Sequence, residues 1–327
     1  MLPLRSLVAL TGLVLTQLGL ARAEAQSATP WRDPSPHQVR VLTVDANVRL
    51  EVLDWGGTGR PVVFIDCYLN AHVFDNIAPK LTDRFHVYAV TRRGVGASDH
   101  PSTGYSPQRR ADDIFEVITT LSTQKPILVG HSCAGDMLHT LGARNPERIG
   151  GLMYLDGAED PTLTSVDYDM PPVDMANLPA RVEVKAEPVV FPEAATRQLE
   201  QFPLDPAIRR AIVEDNRVRP AYARIRVPVV AIYRTTSMER VEKEYPPRTE
   251  QERTALTQAF RASRAMLEKW QRDLLAGVPT AKILELPGAT LYMFLSREAD
   301  VIRELRAFAS EVRFGKRNGA RRAHYRR

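Results

Sequence analysis

The stretch Pro126-Ile127-Leu128-Val129-Gly130-His131-Ser132-Cys133-Ala134-Gly135 constrains this chain more than any other. Its apolar opening reads as a buried strand, and a long helical pattern follows. A serine set between small residues at such a junction demands a sharp backbone reversal, which Gly130 and Ala134 permit sterically. The reversal lifts Ser132 Oγ clear of the sheet edge and turns the next backbone N–H, on Cys133, toward the same spot.

The flanking sequence supplies the rest of a sheet. Val39–Asp45 and Val48–Trp55 alternate like a hairpin around Asp45-Ala46-Asn47. Pro61–Asp66 is a short, continuously apolar strand, as expected where both faces are covered. Val73–Arg84 is helical in pattern, Phe85–Arg92 is a strand, and Arg92–Asp99 is a glycine-containing turn. Ser106 and Pro107 act as cap and first residue of a helix to about Leu121. Lys125–Val129 and Ile149–Leu155 are the next strands. Glu159 to about Arg226 is rich in proline and charge, with helices expected at Glu193–Gln201 and Pro206–Val213. Strand Val227–Tyr233, helix Thr249–Ala276, strand Lys282–Leu286 and helix Arg297–Val312 complete the chain. Strands alternating with helices after a hairpin imply a mostly parallel sheet covered on both faces.

The 327 residues suffice for one large core with an insertion. Arg5 precedes an apolar run from Leu7 to Leu20, and Ala21-Arg22-Ala23 or Ala23-Glu24-Ala25 offers a small-x-small cleavage site. That layout is a secretory leader, residues 1–25, and implies a periplasmic or secreted protein. The run falls short of the roughly 20 apolar residues of a membrane span, so no stable span is expected after cleavage. The formal charge of +5 is misleading, because Arg313–Arg327 holds seven Lys/Arg and no acidic residue. Residues 313–327 read as a solvated, disordered basic tail rather than a nucleic-acid hook. The two cysteines, Cys67 and Cys133, fall at the same sheet edge and are read as buried free thiols, a disulfide being the other option.

Three motifs together resemble the α/β-hydrolase family between about Val39 and Val312. They are the elbow Gly130-His131-Ser132-Cys133-Ala134-Gly135, the turn Arg92-Arg93-Gly94-Val95-Gly96-Ala97-Ser98-Asp99, and the stretch from Leu286-Pro287-Gly288-Ala289 through Phe308. The resemblance implies an α/β-hydrolase fold whose core is 39–156 and 227–312, with 157–226 as a lid inserted between its halves. It makes Ser132 the nucleophile and puts oxyanion donors on the amides of Cys133 and Tyr68. A serine hydroxyl needs both a base and such donors to react at neutral pH. The family has His-Gly ahead of the second donor, where this chain has Asp66-Cys67.

The base departs further. The family histidine follows the last strand as G-A-x-H, and here the loop reads Gly288-Ala289-Thr290-Leu291, so Leu291 takes its place. Leucine cannot accept a proton. His72 and His100, on loops leaving the same sheet edge, are candidate substitutes. The acid is Asp156, at the end of the strand beside the elbow strand, or the displaced Glu239. Two readings follow: a serine hydrolase acting on a small ester, lactone or amide with an atypical or degraded triad, or an inactive member that binds a small ligand or a partner. No metal-ligand spacing, phosphate loop or nucleotide fingerprint occurs, so no metal and no cofactor are expected. Oligomeric state is not legible in the sequence.

Overall fold

Val62, Phe64, Ile127, Val129, Met153, Leu155, Val230 and Ile232 pack into one apolar layer, while Val63, Ile65, Leu128, Leu152, Tyr154, Val229 and Ala231 pack into another. Side chains of successive strand residues point to opposite faces, so these runs are continuously apolar because both faces of the sheet are covered. A computed structural model describes residues 31–122, 124–163, 173–182, 189–215 and 218–314. The expected leader and most of the basic tail lie outside them.

Among the described residues the strands are β1 (Gln38–Asp45), β2 (Val48–Gly56), β3 (Arg60–Ile65), β4 (Phe85–Thr91), β5 (Ile127–His131), β6 (Gly151–Leu155), β7 (Val229–Thr235) and β8 (Lys282–Pro287). They form one sheet in the order β1-β2-β4-β3-β5-β6-β7-β8. β2 runs antiparallel to β1 and β4, and every other neighbouring pair is parallel.

Helices α1 (Pro107–Leu121) and α2 (Gly135–Arg144) bury Ile114, Val117, Leu138 and Leu141 against one face. Ser106 caps α1 by accepting from the Arg109 amide, as the Ser-Pro pair implies. Between β6 and β7 lie α3 (Glu193–Gln201) and α4 (Pro206–Asp215). After β7 come α5 (Met238–Glu244) and α6 (Glu250–Gly277), the latter opened by a reciprocal capping box between Thr249 and Glu252. α6 adds Leu267 and Leu274 to the face of α1 and α2. After β8 come the single turn α7 (Met293–Ser296) and α8 (Glu298–Phe314), which puts Val301, Leu305 and Phe308 against the opposite face.

One element differs from expectation. Val73–Arg84 is not a single helix but two short 3-10 turns, Ala71–Phe74 and Ala78–Leu81. All four residues of the first are buried, so packing rather than an amphipathic period sets its shape. Pro79 opens the second turn, where its missing N–H costs nothing.

Candidate active site

Parallel register brings the carboxyl ends of the central strands together. Ile65 lies opposite Gly130, and Leu155 opposite His131. That register makes Asp66 level with His131 and Asp156 level with Ser132, so all four emerge at the sheet edge where open α/β sheets bind ligands. Ser132 adopts φ +53°, the left-handed region, which costs a non-glycine residue about 1–3 kcal/mol and persists only where the surroundings enforce it. They do so tightly here. A Cβ on Gly135 would sit 1.7 Å from the Gly157 carbonyl oxygen, so the start of α2 presses directly on the chain leaving β6. The amide of Cys133 falls in the first turn, where helical N–H groups have no intrahelical acceptor.

The neighbours of Ser132 are arranged differently from the expectation. Asp66 Oδ1 accepts the amides of both Tyr68 and Leu69, each at 2.8 Å. An aspartate at the head of a loop bonds the amides that follow it in this way. The Tyr68 N–H is thus turned onto Asp66, and its expected role as an oxyanion donor is corrected. Asp66 Oδ2 faces His131 Nδ1 at 2.7 Å, and His131 Nε2 faces the Leu291 carbonyl oxygen at 2.8 Å. Both ring nitrogens confront acceptors, the arrangement that suits the imidazolium. Burial alone would lower the His131 pKa, but the Asp66 carboxylate and the two hydrogen bonds outweigh it and hold the pKa above its ordinary value. His131 is thus held on both sides beneath the elbow, in a setting that favours its protonated form.

Neither candidate base hydrogen-bonds the serine. His72 Nδ1 bonds Asp75 Oδ2 at 3.1 Å, and His100 Nε2 faces the Gly96 carbonyl at 2.9 Å. His139 is buried against Tyr222, and burial pushes its pKa down to about 3. Among the described residues no histidine hydrogen-bonds the Ser132 hydroxyl.

The two candidate acids separate cleanly. Asp156, itself at φ +51°, accepts from the Arg234 amide at 3.0 Å and from Arg234 Nε at 2.5 Å. It sits at the site but serves an arginine. Glu239 is on the exposed first turn of α5, paired with Lys243 at 2.7 Å, and its candidacy is corrected. Lys243 holds its carboxyl below the usual range.

The free-thiol reading is also corrected: Cys67 and Cys133 form a disulfide across a Cα–Cα distance of 5.0 Å, tying the end of β3 to the residue after the serine.

The alpha/beta hydrolase family's sequence model matches residues 56–304, well over half of the chain. This protein belongs to the alpha/beta hydrolase family. Its hydrolase relatives include the 2-(acetamidomethylene)succinate hydrolase of Mesorhizobium japonicum, 36% identical over 109 residues, which is 33% of this chain and 39% of that protein. The soluble epoxide hydrolase of a Corynebacterium species is 29% identical over 101 residues, 31% of this chain and 35% of that one. The chain thus spans well under half the length of these curated relatives. The crystal structure of E-2-(acetamidomethylene)succinate hydrolase superposes with a TM-score of 0.56 at 21% identity, over 84% of this chain and 99% of that one. A bromoperoxidase from Bacillus anthracis gives 0.60 at 14% identity, over 84% and 100%, a likeness of fold alone.

Three residues of this site, Asp66, Arg234 and Glu159, were not picked out from the sequence as functional. Asp66 and Arg234 find His131 and Asp156 only through strand register. Glu159 ends the turn after Asp156, where burial and the carboxylates of Asp156 and Asp136 push its pKa up to about 8. The signal for Asp66 was present but oblique, in the replacement of the family's His-Gly.

Proposed function

We propose that Ser132 is an acyl acceptor for a small ester, lactone or amide, working without the ordinary imidazole base. The observation that carries this reading is the strained backbone of Ser132 at the meeting point of β3, β5 and β6, with the amide of the next residue in the first turn of the elbow. Strain held by close packing around a serine is costly to keep unless that serine is used. Leu291 stands where the family resemblance puts the histidine, and its carbonyl is instead an acceptor for His131. With no imidazole hydrogen-bonded to Ser132 among the described residues, the substrate would carry a leaving group good enough to depart from a slowly formed tetrahedral adduct. Losing a triad member leaves on the order of 10³–10⁴ over water.

A fluorophosphonate probe tests the nucleophile directly. It should label the wild-type chain and leave Ser132→Ala unlabelled. Leu291→His should then raise hydrolysis of an activated aryl ester at least 100-fold, the usual worth of a positioned base. Absence of labelling in the wild type would remove the nucleophile reading and leave the second one. That second reading, a ligand-binding protein without turnover over which 157–226 folds as a lid, is favoured by Asp156, which pairs with Arg234 where an acid would orient an imidazole.

Export of the chain after cleavage near residue 25 belongs to the same proposal. The Cys67–Cys133 disulfide supports it, because such bonds persist in oxidising compartments.

A further inference from the structure

A second cluster of chemistry-bearing side chains lies away from Ser132. Asp33 and His37 come from the segment leading into β1, and His72 and Asp75 from the 3-10 turn after β3. One donor atom from each of the four lies within 4.8 Å of every other. His72 Nδ1 is 3.1 Å from both Asp33 Oδ2 and Asp75 Oδ2. His37 approaches Asp75 Oδ1 through Nδ1 at 3.6 Å and Asp33 Oδ2 through Nε2 at 3.7 Å. A four-coordinate ion with bonds of about 2.1 Å spaces its donors about 3.4 Å apart, inside this range.

Hydrogen bonding does not satisfy the cluster. Asp33 Oδ2, His37 Nδ1 and Asp75 Oδ1 are buried and accept or donate no hydrogen bond. The side chains of His37 and Asp75 are only 4% and 6% exposed. The ion pairs of the two carboxylates are with imidazoles rather than with lysine or arginine. With both imidazoles neutral, as metal ligation requires, the two carboxylates leave a negative charge that a dication cancels, and buried charge is costly unless paired or bound to metal. Glu51 stands 4.0 Å from His72 Nε2, on the far side of the ring. Thr91 and Gln198 hold its two oxygens. Glu51 is thus beyond hydrogen-bond reach of the ring and contributes its charge behind the imidazole. Asp33 and His37 also line an open surface recess through which an ion can enter.

We propose that Asp33, His37, His72 and Asp75 bind one divalent transition-metal ion of the zinc class. Two imidazole nitrogens with two carboxylate oxygens select such an ion over calcium or magnesium, which prefer all-oxygen shells. Four protein ligands leave no open position, so the ion is structural. It clasps the segment before β1 to the turn that follows the Tyr68–Asn70 loop. The sequence hides this site because its ligands arrive as two pairs, Asp-x-x-x-His and His-x-x-Asp, about 35 residues apart.

The untagged full chain, stripped with a chelator and dialysed against zinc chloride, should retain one zinc per chain by plasma mass spectrometry. Cobalt(II) added to the stripped protein should give the visible absorption of a low-symmetry site. Asp33→Asn and His37→Ala, on the segment that leads into β1, should each weaken binding at least tenfold while keeping the wild-type circular dichroism. Zinc should raise the melting temperature of the wild type and not of these variants. Retention below 0.1 equivalent in the wild type, or equal retention in the variants, would overturn the proposal. These readouts are independent of any activity at Ser132.

Discussion

The carboxylate of Asp66 holds three donors at once: the amides of Tyr68 and Leu69 on one oxygen and His131 Nδ1 on the other. One residue thereby turns the loop after β3 inward and favours the protonated form of the imidazole next to the serine. The linkage has a definite sign. The His131 pKa is raised in the folded chain, so its contribution to stability is complete below the unfolded value of about 6.5 and is lost as pH rises through the folded value. Asp66→Asn keeps the shape and removes the charge. It should cost about 2–3 kcal/mol in urea unfolding at pH 6, less than the full penalty of an orphaned buried ion because His131 can shed its proton. The cost should shrink as pH rises through the folded-state value of His131, where the wild type itself loses the pair. A cost that stays level from pH 6 to pH 9 would show that His131 is neutral throughout.

At the scale of elements, the turn from β5 into α2 works because two chain segments touch backbone to backbone. Gly135→Ala places a methyl group against the Gly157 carbonyl, a contact that no rotamer relieves. It should destabilise the fold by about 2–4 kcal/mol and slow fluorophosphonate labelling of Ser132, since the elbow must shift to make room. Unchanged melting with unchanged labelling would mean that the approach of β6 to α2 is slack. This turn was legible in the sequence because all its determinants are local: an apolar run, a serine among small residues, a helical period. The Ser106-Pro107 start of α1 and the Thr249 cap of α6 were legible for the same reason. The two turns between Ala71 and Leu81 were not, because the sheet buries every side of the first. The Asp66–His131 and Asp156–Arg234 pairs were not either. Each depends on which strands lie side by side, and a shift of one residue in β3 against β5 would dissolve the first.

Across the whole molecule, one covalent bond joins what the sheet only aligns. The topology places Cys67 and Cys133 at the same edge, and the 5.0 Å between their Cα atoms is within disulfide range. Their common edge followed from the strand order, whereas bonding turned on the final ångströms of register. The bond closes a sequence separation of 66 residues, and loop-closure entropy for that length amounts to about 4 kcal/mol. Strain and residual unfolded structure usually reduce such a figure, so 2–4 kcal/mol is the expected loss on reduction. For a domain of this size that corresponds to a fall of about 3–7 °C in melting temperature. Differential scanning calorimetry with and without a phosphine reductant measures it, with alkylation confirming two free thiols, and Cys67→Ser/Cys133→Ser should melt with the reduced form. Because Cys133 follows Ser132 directly, reduction should also change the rate of fluorophosphonate labelling. A melting temperature unmoved by verified reduction would mean that the packing of Gly135 on Gly157 and the His131 pair hold the elbow closed without the covalent tie.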